Sequence, residues 1–142
     1  MPKRINDFAD LKVAVNATSS SGALVGIAVD TTGYSRARFI FQFGSGAAET
    51  AALSGNIGIW KATTSGATYA SVPTAILAAV TSGVMSAAKL AMVIDMPTDA
   101  ANEWLKVSGN IISSMLFHAA VVELYDGINR PPTTSLQELV TI

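Results

Sequence analysis

The single histidine and the scattered carboxylates are the side chains of this chain that could do acid–base or metal chemistry. His118 lies in the apolar run LFHAAVV, and no nucleophile can be assigned to it, so a hydrogen-bonded core or interface histidine is favoured over a catalytic base. Asp95, Asp99 and Glu103 lie around a turn at Pro97. Calcium needs six or more oxygen ligands at a defined spacing, so turn capping is the preferred role for these carboxylates. With one histidine and no cysteine, a zinc site is close to excluded.

Two motifs that often form active sites, the phosphate-binding loop and the nucleophile elbow, are not complete in this sequence. The segment GSGAAET at 44–50 shares only its glycines with a phosphate-binding loop, because the Gly-Lys-Ser/Thr end that supplies charge and a metal ligand is missing. The serines lie in loop sequences and not in a nucleophile-elbow motif. We therefore expect no enzymatic activity, no cofactor and no metal.

The composition points to a surface that is largely covered by partners. The chain has 142 residues, and 50% of them are hydrophobic. Only 13% are charged, compared with about 25% in average globular proteins.

The apolar stretch at 72–96 is interrupted by polar residues and proline and contains Lys89, so a membrane helix is not expected. No secretory signal is visible, and the absence of cysteine fits synthesis in a reducing cytoplasm. The net charge of −1 disfavours nucleic acid as a partner.

Most of the chain has the pattern of short strands separated by turns. Strands are expected at 11–15, 23–30, 34–43, 57–64, 89–96, 103–110 and 113–126. The last strand is apolar on both faces, which indicates a central strand covered on both sides. The Ala-rich segment at 74–88 is predicted to be either one short helix or a docked loop. The predicted fold is therefore all-β, or β-rich with one short helix: an antiparallel β-sandwich or jelly-roll-like barrel with extended terminal arms.

The strand in VDTTGYSRARFIFQFGSG, at 29–46, separates its aromatic and basic residues. Phe39, Phe41 and Phe43 share one face. The opposite face carries Tyr34, Arg36, Arg38, Ile40 and Gln42. A platform for single-stranded nucleic acid needs aromatic and basic side chains on the same exposed face. We therefore interpret the phenylalanines as core, and the arginines as facing solvent, an acidic neighbour or a subunit interface.

Polar and proline-rich segments flank the predicted domain. We divide the chain into an N-terminal arm with a first short strand at 1–22, a β-sandwich at 23–128 and a C-terminal arm at 129–142. The C-terminal arm contains two adjacent prolines and then becomes apolar. The pattern leaves open whether this arm packs on a neighbouring subunit, folds back on its own domain or frays.

Three segments have a spacing of residue types that is similar to one known family. AVDTTGYSRARFIFQFG combines a strand ending in Val-Asp, a Thr/Gly/Tyr turn and an Arg/Ala-bearing strand that ends in Gly. GNIGIWKATTSGATYASVPTA continues with a strand, a Ser/Gly turn and a Tyr-x-x-Val return, and EWLKVSGNI adds another strand. Residues 23–130 thus resemble capsid decoration proteins of tailed bacteriophages, also called head-stabilising or cement proteins. The Ala-rich insert at 74–88 and the apolar C-terminus depart from the usual pattern.

The resemblance implies a non-enzymatic virion protein on the outside of the phage head, made in the bacterial host cytoplasm. It would form a homotrimer at quasi-threefold axes, bind the major capsid protein lattice and stabilise the expanded head, with no nucleic acid or membrane as partner. The residues expected to contact a sister subunit or the capsid are Pro2, Lys3, Arg4, Phe8, Arg36, Arg38, Arg130, Pro131, Pro132, Leu136, Leu139 and Ile142.

Two alternatives stay open. The first is a tail or head–tail connector protein with a β-sandwich fold, which would assemble as hexamers or tubes. The second is a carbohydrate-binding or adhesin-like β-sandwich, which would need exposed aromatic residues in a groove. Only Trp60, Tyr69, Trp104 and Tyr125 are candidates for that role, and each is expected in the core or an interface.

Overall fold

The described part of the chain folds into strands, as its alternating apolar residues predict. The computed structural model describes residues 9–19, 22–24, 26–45, 57–76, 90–111 and 116–127, and within these ranges every regular element is a β-strand. The strands are β1 (Ala9–Ser19), β2 (Gly22–Ala23), β3 (Val29–Asp30), β4 (Tyr34–Ser45), β5 (Gly58–Ala62), β6 (Ala70–Ile76), β7 (Leu90–Pro97), β8 (Trp104–Ser108), β9 (Asn110–Ile111) and β10 (Leu116–Gly127). The all-β prediction is confirmed.

The strands form two four-stranded antiparallel sheets. Sheet I has the order β1-β10-β4-β7 and sheet II the order β3-β8-β5-β6, while β2 and β9 form a short separate pair. One hydrophobic core cluster takes residues from both sheets, so their inner faces pack together as a β-sandwich. This confirms the predicted architecture.

The core follows the period of two residues that strands impose. Phe39 and Phe41 of β4 are buried, as are Ile59 of β5 and Leu105 and Val107 of β8. Burying a side chain of this size stabilises the fold by roughly 1.5–3 kcal/mol relative to leaving it in water. The phenylalanines at 39 and 41 are therefore core residues, as predicted. The side chain of the third, at 43, lies outside the described residues.

Strand β10 is central, as expected, but only one of its faces is covered. It pairs with β1 on one side and β4 on the other. Val122 and Leu124 are buried in the core, whereas Val121, on the opposite face, is 41% exposed. The prediction of cover on both faces is wrong for the single chain, because a two-layer sandwich buries one face of each sheet. The second apolar face of β10 is part of the molecular surface.

The single strand predicted at 23–30 is interrupted in the middle. Its two ends, β2 and β3, pair with β9 and β8, and between them Gly26 forms an isolated bridge with Val15 of β1. A Cβ atom at Gly26 would lie 2.1 Å from the carbonyl oxygen of Val107. The backbone of this segment therefore touches β8 and β1 at once, which is incompatible with an unbroken strand.

Three other local expectations are modified. The strand predicted at 11–15 is longer, and its register with β10 shifts twice, which is common in edge strands because bulges discourage further pairing. Residues 74–76 of the Ala-rich segment belong to β6, and the rest of it lies outside the described residues. Tyr34 shares strand parity with Arg36 but is buried, because its ring packs against Gly127 at the end of β10.

Candidate interaction surfaces

On the outer face of sheet I, the strand register aligns the side chains of neighbouring strands in rows. One row contains Leu11, Glu123, Arg38 and Asp95, which are direct partners across β1, β10, β4 and β7. The next row, two residues along each strand, contains Val13, Val121, Ile40 and Val93. Residues that are opposite one another on neighbouring strands point to the same side of a sheet. This face therefore has a charged part and an aliphatic part side by side.

The charged part is a hydrogen-bonded network of five side chains, here called the arginine–aspartate network: Arg36, Arg38, Asp95, Glu123 and Tyr125. Arg36 donates from Nη2 to Asp95 Oδ1 at 2.6 Å and from Nε to the Tyr125 hydroxyl at 2.9 Å. Arg38 donates from Nη2 to Asp95 Oδ2 at 3.1 Å and from Nη1 to Glu123 Oε2 at 3.1 Å. Asp95 thus uses one carboxylate oxygen for each arginine.

Tyr125 links both arginines to the carboxylate. Its hydroxyl lies 2.8 Å from Asp95 Oδ1 and 2.7 Å from Asp95 Oδ2, and donates its proton to this carboxylate. The guanidinium carbons of Arg36 and Arg38 lie 5.9 Å and 5.0 Å from the centre of its ring, within the range of cation–π attraction. The ring and the hydroxyl therefore hold the two guanidinium groups in place together.

Hydrogen bonds within the network shift the pKa values of three of its members. The hydrogen bond from Tyr125, followed by those from Arg36 and Arg38, lowers the pKa of Asp95 below its ordinary value. The pKa of Arg36 is raised by its hydrogen bonds to Tyr125 and then Asp95, and that of Arg38 chiefly by its hydrogen bond to Asp95. At neutral pH two cations face two carboxylates, so the formal charges cancel. An incoming phosphate would have to displace a carboxylate already bound to these arginines.

The aliphatic part is a row of four β-branched side chains across the whole sheet, here called the aliphatic row: Val13, Val121, Ile40 and Val93. Val13 is 48% and Val93 55% exposed, and Ile40 is partly buried. Neighbouring strands are about 4.8 Å apart, so the row extends over roughly 14 Å. Single exposed apolar residues need no explanation, but a contiguous apolar patch is typical of an interaction site.

A separate cleft opens between β6 and β7, the edge strands of the two sheets in the described part of the chain. It has a volume of about 190 Å³ and apolar walls from Val72, Met96 and Leu105. Lys61 and Asp99 form an ion pair of 2.8 Å at its rim. The cleft is thus an apolar opening with one ion pair, and Thr74 and Thr98 also line it.

Asp99 caps the turn that follows β7. The backbone N–H of Ala101 donates to Oδ1 at 2.9 Å, and the side-chain amide of Asn102 donates to Oδ2 at 2.9 Å. The Lys61 ammonium, followed by these two donors, holds the pKa of Asp99 well below its usual range. The structure thus shows the turn-capping role predicted for this residue, whereas Asp95 belongs to the arginine–aspartate network.

The predicted interface residues are only partly within the described ranges. Arg36 and Arg38 lie on the outer face of sheet I, and their partner is an acidic neighbour, one of the three options left open by the sequence. The remaining predicted interface residues lie outside the described residues: Pro2, Lys3, Arg4, Phe8, Arg130, Pro131, Pro132, Leu136, Leu139 and Ile142. The backbone of His118 lies in β10, paired with Phe43 and Thr18, and its side chain is outside the described part.

Sequence reasoning missed the partners of the arginines and the aliphatic row. Asp95 and Glu123 are 57 and 85 residues from Arg38 along the chain, so no local sequence pattern links them. The network and the aliphatic row follow from strand parity only once the register between the strands is known. Among the described residues, no group of three or more His, Cys, Asp or Glu side chains is arranged to hold a metal ion. Within the same ranges there is no helix long and apolar enough to cross a membrane.

Comparison with family models, curated proteins and solved structures finds no match for this chain.

Proposed function

We propose that this chain is a non-enzymatic structural protein of the tailed-phage virion that binds the outside of the major capsid lattice as a homotrimer and stabilises the expanded head. The observation that carries the proposal is the aliphatic row, an apolar strip across all four strands of a sheet face that the sandwich leaves open. The partner, the major capsid lattice, is inferred from the resemblance of residues 23–130 to decoration proteins.

The aliphatic row supports association with another protein. Apolar surface removed from water contributes about 25 cal/mol per Å². A strip that crosses four strands is rigid, because its side chains are β-branched and stand on a continuous hydrogen-bonded sheet. Such a strip fits a complementary protein surface and needs little reordering on binding.

The arginine–aspartate network supports the same use of this face. Arginine and tyrosine are enriched at the centres of protein interfaces, where planar side chains give large contact area. Here their charges are already paired, so a partner that covers them does not have to neutralise an isolated charge. A neutral network beside an apolar row suits a protein surface better than a polyanion.

Weak individual contacts are sufficient for a lattice-binding protein. A trimer on a threefold axis engages several capsid subunits at once, so the effective affinity rises without additional contacts on each chain. If only the expanded lattice presents the complete binding surface, binding stabilises that state by mass action. No catalytic step is required for such a role.

Native mass spectrometry of the purified chain tests the assembly. One chain has a mass of 14.7 kDa, so a trimer is expected at about 44 kDa (three times 14.7 kDa). Hexamers or larger rings would instead support the tail or connector alternative. Monomers that remain monomeric on expanded shells of the major capsid protein encoded in the same genome would contradict the proposal.

A matched pair of variants tests the surface. Val93→Lys places a charge in the aliphatic row on edge strand β7, and Thr74→Lys places one at an exposed position on edge strand β6. We expect Val93→Lys to abolish co-sedimentation with expanded shells, or trimer formation, and Thr74→Lys to leave both unchanged. Equal behaviour of the two variants would exclude the aliphatic row as the binding surface.

A further inference from the structure

The outer face of sheet II carries aromatic residues, whereas the outer face of sheet I carries the aliphatic row. Trp60 pairs with Lys106, and Ala62 pairs with Trp104, across β5 and β8. Their sequence neighbours Ile59, Leu105 and Val107 are buried in the core, so strand alternation places the four paired residues on the outward side. Both tryptophans of the chain are thus on one outward face, and each is partly exposed.

Tyr69 completes this group. It directly precedes Ala70, which pairs with Lys61 of β5, and its ring centre lies 5.6 Å from Lys106 Nζ. Burial raises the pKa of its hydroxyl, which donates to the backbone oxygen of Ser65 at 3.3 Å. The aromatic face is defined here as Trp60, Tyr69, Trp104 and Lys106.

The register determines the spacing of the rings. Trp60 and Trp104 are diagonal neighbours on adjacent strands, a relation that separates residues by about 7–8 Å. Ala62 lies directly opposite Trp104 and is only 3% exposed although it points outward. Its low exposure shows that larger neighbouring side chains cover it, so the surface of this face is formed by the larger side chains themselves.

Lys106 gives the aromatic face its charge. Within the described part of the chain its ammonium contacts the Tyr69 ring, and no carboxylate lies within ion-pair distance of it. This differs from Arg36 and Arg38 on the other sheet, whose charges are already paired. A ligand that brings an anionic group to the aromatic face meets a cation that has no acidic partner among the described residues.

We propose that the aromatic face binds an acidic saccharide, in which pyranose rings stack their C–H faces on Trp60, Trp104 and Tyr69 and a sugar carboxylate pairs with Lys106. Tryptophan and tyrosine offer flat apolar area together with a polar edge, which suits a ligand whose rings have an apolar face and a polar rim.

Single-stranded nucleic acid also stacks on aromatic residues, but it is the weaker match. Its backbone carries one phosphate per nucleotide, so a binding surface needs several cations along the strand path. Within the described ranges this face has one lysine, Lys106, and Asp30 lies directly opposite Trp104 at its other end. The face therefore matches a ligand with one carboxylate, placed at Lys106 and away from Asp30, better than a continuous polyanion.

Intrinsic tryptophan fluorescence gives a direct assay, because both tryptophans of the chain are in the aromatic face. Sialyllactose, a trisaccharide with a single carboxylate, is titrated into the full chain, with maltotetraose as the neutral saccharide and an octamer of dT as the nucleic acid. We expect a saturable change of fluorescence with sialyllactose, with a Kd in the millimolar range or tighter. Binding to maltotetraose should be weaker, and binding to the oligonucleotide weaker still.

Two charge variants separate the aromatic face from the rest of the molecule. Lys106→Gln should weaken binding of the acidic saccharide by about two- to fivefold, as expected for one solvent-exposed ion pair, without changing the fluorescence response to maltotetraose. Lys61→Gln removes the same charge from the other side of β5 and should leave the saccharide affinity unchanged. Trp104→Ala should weaken binding by about fivefold or more, with Trp60 still reporting.

The proposal is overturned if sialyllactose gives no saturable change, if Lys106→Gln and Lys61→Gln bind it equally well, or if the oligonucleotide binds more tightly than the saccharide. The last result would assign the aromatic face to nucleic acid. Saccharide binding is measured by fluorescence and the proposed function by native mass and co-sedimentation, so this inference and the proposed function can fail separately.

Discussion

Substitution of Gly26 by alanine should destabilise the fold more than a single added methyl group usually does. The new Cβ would lie 2.1 Å from the carbonyl oxygen and 2.9 Å from the carbonyl carbon of Val107. An ordinary carbon–oxygen contact is about 3.3–3.6 Å, so the two backbone segments would have to separate by more than about 1 Å. Neither segment can move freely, because Val107 pairs with Ile59 and the segment around Gly26 is bridged to β1.

The expected loss in the free energy of unfolding is about 3 kcal/mol, at the upper end of the range for overpacking. For a chain of this length that corresponds to a decrease in Tm of roughly 10 °C. Urea denaturation followed by circular dichroism and differential scanning calorimetry would measure the two quantities.

Gly66→Ala is the matched control. No heavy atom lies within 4 Å of the position that a Cβ would occupy at Gly66, and the backbone there does not require glycine. This variant should be neutral, or more stable by up to about 1 kcal/mol, because alanine restricts the unfolded chain. If Gly26→Ala and Gly66→Ala had the same Tm, the close contact between the segment around Gly26 and β8 would be refuted.

Three further predictions concern the core and the arginine–aspartate network. Phe41→Ala should reduce the free energy of unfolding by about 3–5 kcal/mol, measured by urea denaturation, and a loss below about 1 kcal/mol would contradict its place in the core. Tyr125→Phe removes the hydrogen bond that most lowers the pKa of Asp95, so an NMR titration of the Asp95 carboxyl should show that pKa moved back towards the ordinary value near 4. An unchanged pKa would show that the arginines alone set it. Because its pKa is lower in the folded state, Asp95 contributes stability above the unfolded-state pKa, and this contribution is lost as the pH falls through the folded-state value. Asp95→Asn should therefore lower Tm at pH 7 and flatten the acid-induced decrease in Tm, and identical pH profiles would exclude a stabilising network.

The strands and most of the core could be predicted from the sequence because they depend on local patterns. Alternation of large apolar residues places Phe39 and Phe41 on one face, and that face is buried whichever strands become neighbours. The exceptions occur where the backbone is constrained from outside the strand. Tyr34 is buried against Gly127, and the strand predicted at 23–30 breaks where Gly26 meets β1 and β8. Neither contact has a signal within a short window of sequence.

The candidate surfaces could not be predicted because they depend on register between distant strands. The parity of Arg36 and Arg38 was evident, but their partners come from β7 and β10, and only the observed pairing brings these side chains together. The same holds for the aromatic face, where Trp60 and Trp104 become diagonal neighbours through the pairing of β5 with β8. A pattern can show that a residue points outward, but it cannot show which residues lie beside it.

The arrangement of the two outer faces allows both proposals to hold for one chain. The sheets of a sandwich pack about 10 Å apart with their outer faces pointing in opposite directions. A chain that rests on a lattice through the aliphatic row therefore turns the aromatic face of sheet II away from that contact. The two faces also differ in chemistry, since one has paired charges beside aliphatic side chains and the other has a lysine among aromatic rings. A lattice-bound chain should consequently bind sialyllactose with the same affinity as the chain in solution, and a loss of binding on the lattice would place the aromatic face within the lattice contact.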